Sequence, residues 1–105
     1  MYLMTKSKQA EKDYDTAVRA GHRAWLAEIF SVIRKNPYEP TSGHHFERLT
    51  GNLKGYCSRQ IDYHNRVIYT VLPNTECARD KDGNLYDGIV HINRAWGHIY
   101  KKSKR

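Results

Sequence analysis

The chain has 105 residues and a formal net charge of +7, from 18 Lys and Arg against 11 Asp and Glu, with 39% hydrophobic residues and six His. That length has room for one hydrophobic core, so residues 1–105 are expected as one domain. No stretch approaches the roughly 18 apolar residues of a membrane span, and the positive excess points to a polyanionic partner, nucleic acid above all. The first six residues, Met1 to Lys6, lack the apolar run of a signal peptide, so a cytoplasmic location is expected. Cys57 and Cys77 form neither a CxxC pair nor a disulfide framework. His44 and His45 are adjacent and have no second ligand pair at zinc spacing, so no metal site is expected.

Residues 1–5 are apolar and aromatic enough for an edge strand. From Lys8 to Ala20 the period is helical, with Ala10, Tyr14, Ala17 and Val18 near one face, and Gly21 supplies a C-terminal stop. A second helix is expected from His22 to Arg34, with a stripe of Leu26, Ile29, Phe30 and Ile33 flanked by Trp25. It ends at Asn36-Pro37, because the residue before proline is driven out of the helical region. After Pro40-Thr41-Ser42-Gly43 the pattern becomes strand-like. Strands are expected over Phe46–Leu49, Tyr56–Ile61, Arg66–Leu72 and Ile89–Trp96, with residues 62–65 closing a tight antiparallel connection. Helices followed by antiparallel strands make an α+β domain, two N-terminal helices packed on a small, mainly antiparallel sheet.

Residues 73–88 are polar and turn at Asp82-Gly83-Asn84. Asp80, Asp82 and Asn84 imitate the start of a calcium loop, but the glycine falls at the fourth position and the twelfth is His91, so calcium is excluded. The tail, residues 101–105, carries four positive charges and reads as a solvated end able to touch phosphates.

Chemistry-bearing side chains on the expected strands are Glu47, Arg59, Arg66 and Arg94, with His98 near the end of the last one. Strand residues of this kind are most often solvated surface groups. Cleaving RNA through its own 2′-hydroxyl needs a base, an acid for the leaving 5′-oxygen and a cation for the charge on the phosphorane. Glu47, His98 and Arg66 offer one residue for each role, and Arg59 and Arg94 are further strand cations placed to bind substrate. No P-loop, dinucleotide fingerprint or nucleophile elbow competes with this reading.

Several blocks together resemble the Txe/YoeB toxins of the RelE/ParE toxin–antitoxin superfamily. They are Arg34-Lys35-Asn36-Pro37-Tyr38-Glu39, the run Glu47 to Ile61 containing Asn52-Leu53-Lys54-Gly55-Tyr56-Cys57-Ser58-Arg59, then Asn65-Arg66-Val67-Ile68-Tyr69, and Gly97-His98 followed by Tyr100. The matches keep their order over roughly residues 8–100. The resemblance implies a RelE-like microbial ribonuclease fold and a toxin that cleaves mRNA in the ribosomal A site without a cofactor. Implied partners are a cognate antitoxin, ribosomal RNA and a second copy of the chain in a homodimer. Carried over by position, Glu47 is the general base, Arg66 the phosphate-stabilising cation and His98 the general acid. Arg59 contacts substrate or ribosomal RNA, and Tyr100 corresponds to the family's terminal tyrosine. This chain departs from the pattern at Thr50, where Lys is common, at Asn65 for His, at Gln60 for Arg, and at Ile99, which separates His98 from Tyr100. The substitutions at Thr50, Asn65 and Gln60 sustain one alternative, a decayed toxin that only binds its antitoxin or RNA; a non-enzymatic ParE-like toxin is the other, and the joint presence of Glu47, Arg66 and His98 argues against it.

Overall fold

The computed structural model describes residues 1–97. Its elements run β1 (Leu3–Lys6), α1 (Lys8–Arg19), α2 (Arg23–Lys35), β2 (Glu47–Arg48), a single 3-10 turn (Gly51–Leu53), β3 (Tyr56–Gln60), β4 (Arg66–Leu72) and β5 (Ile89–Arg94). The strands form a five-stranded sheet in the order β1-β5-β4-β3-β2. β1 lies parallel to β5, and the other neighbours are antiparallel. The α+β arrangement expected from the sequence is the observed one, and β1 is the edge strand anticipated for residues 1–5.

Ser7 starts α1. Its hydroxyl accepts the Ala10 N–H at 3.0 Å, satisfying one orphan donor of the first turn, and donates to the Asn93 carbonyl on β5 at 3.0 Å. The cap therefore also fastens the helix to the sheet. Gly21, at φ 92°, makes the reversal into α2, a conformation that costs a side-chain-bearing residue more. α2 stops at Asn36, whose extended backbone (φ −155°, ψ 101°) is what the following Pro37 demands.

Ala10 and Ala17 of α1, with Leu26, Ile29 and Ile33 of α2, bury one face of the sheet through Cys57, Val67, Tyr69, Val90 and Ile92. Full burial of each large apolar side chain contributes about 1.5–3 kcal/mol. Phe30 and Tyr14 stack at 6.3 Å between centroids on the flank of the helix pair.

Two strands end earlier than their hydrophobicity suggests. The segment read as Phe46–Leu49 pairs as a strand only over Glu47–Arg48, although Leu49 N–H still bonds the Tyr56 carbonyl at 2.9 Å. β5 stops at Arg94 instead of Trp96, because Ala95 N–H turns to the Asp13 carboxylate at 3.1 Å and Gly97 takes φ +100°. Tyr69 faces Ile92 and Ile68 faces Arg94, so Asn93 is the extra residue of a bulge in β5.

Residues 73–88 form an ordered excursion. The Asp80 carboxylate accepts from Asp82 N–H at 2.9 Å and Asn84 N–H at 3.0 Å around the turn, and Arg79 bridges Leu85. The Asn84 N–H above all, with the Asp82 N–H, holds the Asp80 carboxyl below its ordinary pKa against the opposing effect of burial. Among the described residues, no helix is long and apolar enough to cross a membrane.

Candidate active site

Register and alternation decide which side chains meet. In an antiparallel pair, directly opposite residues share a face, and successive residues on one strand point to opposite faces. Glu47 lies opposite Ser58, and Gln60 opposite Arg66. Cys57, Val67 and Tyr69 face the helices in the core, so Glu47, Ser58 and Arg66 share the face turned away from them. There Arg66 Nη1 donates to Ser58 Oγ at 3.0 Å, and Arg66 Nη2 lies 3.9 Å from Glu47 Oε1. The Arg66 side chain is only 17% exposed, whereas that of Glu47 is 54% exposed. One strand thus presents a reachable carboxylate and another a largely sheathed guanidinium, with Ser58 on the strand between them.

The backbone beside Arg66 is tied to the end of the described chain. Arg66 N–H donates to the Gly97 carbonyl at 3.2 Å. Asn65 Oδ1 accepts Gly97 N–H at 2.9 Å, while Asn65 Nδ2 donates to both oxygens of Asp62 at 3.0 and 3.1 Å. Asp62 also takes the backbone N–H groups of His64 and Asn65 and faces His22 at 3.3 Å. Partial burial works against the ionised Asp62, but these donors and His22 outweigh it and hold its carboxyl below the ordinary aspartate range. Asn65, a departure from the resembled pattern, is therefore the bracket between the β3–β4 turn and Gly97. His98 and Tyr100, and the tail 101–105, lie outside the described residues.

Two cations expected at the substrate sit elsewhere. Arg59 is fully buried. Its Nε donates to Tyr69 Oη at 3.2 Å, its Nη1 to Ser42 Oγ at 2.9 Å and its Nη2 to the Glu39 carbonyl, with the guanidinium 4.8 Å from the centre of the Phe46 ring. Tyr69 Oη in turn donates to the Pro37 carbonyl at 2.5 Å. Burial pushes the Tyr69 phenol strongly upward, so it stays a neutral donor, with Arg59 pulling weakly the other way. Arg59 is thus the internal fastener of the 37–46 loop that delivers Glu47 to the sheet, and its placement corrects the expectation of a surface cation touching RNA. The sequence carries a signal for this: Cys57, Arg59 and Ile61 alternate on one face, and its outer two members are apolar core residues.

Arg94, past the bulge at Asn93, reaches α1 instead of Glu47 and Arg66. Its Nε meets Asp13 Oδ2 at 2.7 Å and its Nη2 meets Asp13 Oδ1 at 3.4 Å. Asp13, 5% exposed, also accepts from Gln9 Nε2 and Ala95 N–H. Asp13 was absent from the expected helix face, yet its number gave it away: 10, 13 and 17 form one stripe at helical spacing.

Ser42, His44 and Glu28 make a second linked set, with Ser42 Oγ 3.3 Å from His44 Nδ1 and His44 Nε2 2.9 Å from Glu28 Oε2. Here the hydroxyl also accepts from Arg59, the imidazole is fully buried against Trp25, and the three residues pin α2 to the 37–46 loop. The arrangement is structural cross-bracing. Among the described residues, no group of three or more His, Cys, Asp or Glu is placed to hold a metal ion.

No family model and no curated relative matches the chain. Solved structures do. The YoeB dimer structure from Staphylococcus aureus superposes with a TM-score of 0.67 at 24% identity, covering 92% of this chain and 97% of that one. The YoeB/ParE toxin from Agrobacterium tumefaciens gives 0.64 at 22% identity over 91% and 98%, and YafQ from E. coli strain BL21(DE3) gives 0.65 at 16% identity over 96% and 98%. The chain therefore has the YoeB/RelE-type toxin fold.

Proposed function

We propose that the chain is the toxin of a type II toxin–antitoxin pair and acts as an endoribonuclease on mRNA in the ribosomal A site. The observation that carries this reading is the meeting of Glu47 and Arg66 on the helix-free face of the sheet, 3.9 Å apart. In the proposed mechanism Glu47 removes the proton of the ribose 2′-hydroxyl and the oxygen attacks the adjacent phosphorus. Arg66, steadied by Ser58, stabilises the charge that builds on the phosphorane. His98, next in sequence to the bracketed Gly97, protonates the departing 5′-oxygen, and Tyr100 orients the nucleotide. The products are a 2′,3′-cyclic phosphate and a 5′-hydroxyl. Side chains alone supply the acid and base. A carboxylate is a weak base for a ribose hydroxyl, so alignment of the 2′-oxygen by the ribosome contributes much of the rate.

The fold supports the toxin assignment, since structures of the same fold include a YoeB–YefM toxin–antitoxin complex and a DinJ–YafQ complex. An antitoxin that covers the Glu47–Arg66 face would silence the chain, and the +7 charge suits both an acidic antitoxin and ribosomal RNA. The test is primer extension on a translated mRNA with the wild type, Glu47→Gln and His98→Gln. Ribosome-dependent cuts that vanish in both folded variants support the reading. An intact message with undiminished growth arrest refutes it and favours the binding-only toxin.

A further inference from the structure

On the other side of the β2 edge from Glu47, a cleft of about 590 Å³ opens between Tyr38, the β2 segment and the turn from Gly51 to Gly55. Its volume falls within the range of about 300–1,000 Å³ typical of sites for small organic ligands. Leu49 and Tyr56 contribute apolar lining, and Arg48 and Lys54 are the two charged residues along it. Among the described residues, no Asp or Glu lines the cleft. The Arg48 guanidinium sits 4.2 Å from the centre of the Tyr38 ring, so a side chain that would otherwise sample many rotamers is held by a cation–π contact. Among the described residues, no carboxylate pairs with Arg48 or Lys54.

This combination, an aromatic and a guanidinium plane with apolar walls and two cations, is the chemistry that holds an unstacked base and its phosphate in single-strand recognition. Position adds to composition. Arg48 faces Cys57 across the ladder while its neighbour Glu47 faces Ser58, so the cleft and the Glu47–Arg66 pair lie back to back across a strand two residues long. β2 is also the outer strand of the sheet, and a polynucleotide crossing the Glu47 face can round that edge into the cleft.

We propose that the cleft is a nucleotide subsite that takes one unstacked nucleotide of a single-stranded RNA, with the base against Tyr38, Arg48 and Leu49 and the phosphate at Lys54. The proposal rests on the ribonuclease reading for its purpose, but its test does not depend on cleavage. The probe is a fluorescein-labelled, uncleavable 2′-O-methyl RNA hexamer, titrated by anisotropy at several salt concentrations against the wild type, Tyr38→Ala, Tyr38→Phe, Arg48→Gln and Lys54→Gln, each checked for folding by circular dichroism. Tyr38→Ala is expected to weaken binding about 5-fold or more while Tyr38→Phe does not. Lys54→Gln is expected to lower the slope of log K against log salt by about 1, and Arg48→Gln to weaken binding about 5-fold or more. Unchanged affinity and slope in the folded variants overturn the proposal, as does a wild type that does not bind the hexamer. Retained RNA binding with loss of an acidic protein partner reassigns the cleft to that partner and overturns it too. If the wild type binds as described but cuts no message, the ribonuclease reading fails and the subsite stands.

Discussion

Replacing Arg59 by Met separates the two roles this residue could play. Met keeps much of the length and apolar bulk of the stem and deletes the guanidinium. Three hydrogen bonds vanish, to Tyr69 Oη, Ser42 Oγ and the Glu39 carbonyl. Hydrogen bonds with a charged partner contribute about 1.5–3 kcal/mol each, so the loss amounts to roughly 5–9 kcal/mol before compensation. The compensation is large: the variant no longer buries a charge, a penalty of several kcal/mol. Tyr69 Oη keeps its bond to Pro37 and Ser42 Oγ keeps His44, which leaves the Glu39 carbonyl as the main orphan. The net cost should be about 2–4 kcal/mol, measured by urea denaturation, with a fall in Tm of roughly 10–20 °C. In the same protein, the salt dependence of RNA binding should be unchanged, because a residue with no exposed surface displaces no counterions. Wild-type stability together with a salt slope lowered by about 1 would show that Arg59 touches phosphate in solution and that its burial is wrong.

Asp13→Asn should cost about 1–3 kcal/mol in a denaturation assay, since Arg94 loses its charge partner while an amide oxygen can still receive Ala95 N–H. Asp13→Asn and Arg94→Met should be non-additive in a double-mutant cycle, and additivity would dissolve the pair. The Asp62 carboxyl, held below its ordinary value, should titrate by NMR at a pH lower than a free aspartate. Because the folded pKa is depressed, its stabilising contribution is complete above the unfolded value, near 3.8, and disappears as pH falls through the folded one. Asp62→Asn should accordingly flatten the stability profile in that acid window, and an unaltered profile there would contradict the turn geometry.

Local periodicity revealed the elements well because burial is periodic: positions 26, 29 and 33 and positions 57, 67, 69, 90 and 92 are the core. Partner choice is a different matter. Nothing in Leu3–Lys6 specifies β5 as its neighbour, or a parallel register, since alternation states which face is buried and not what lies alongside. Charge misled for a related reason. Residue type suggests outward-facing cations at Arg59 and Arg94, although Arg59 alternates with the core residues Cys57 and Ile61 and the bulge at Asn93 changes the parity at Arg94. The desolvation of each is met by long-range partners, Glu39 and Ser42 for one and Asp13 for the other, which no local window contains. Glu47 and Arg66 were legible because both sit on strands with the same parity relative to β3, and the register places them together. Tyr100 rests on the resemblance alone, and His98 on the resemblance and its residue type.

The pairing of β1 with β5 has a consequence for how the protein is made. Leu3 lies beside Ile89, and the amino terminus meets Asp87 at 2.6 Å. β1 therefore finds its neighbour only after β5 has been translated, at roughly 5–20 residues per second. During those seconds β1 is an unpaired apolar edge beside a helical hairpin, a species open to chaperones and to premature association. Sequence-distant closure of this kind also slows folding. The Gly97 bracket at Asn65 forms later still, so the Glu47–Arg66 surface is completed only after β5 has been made.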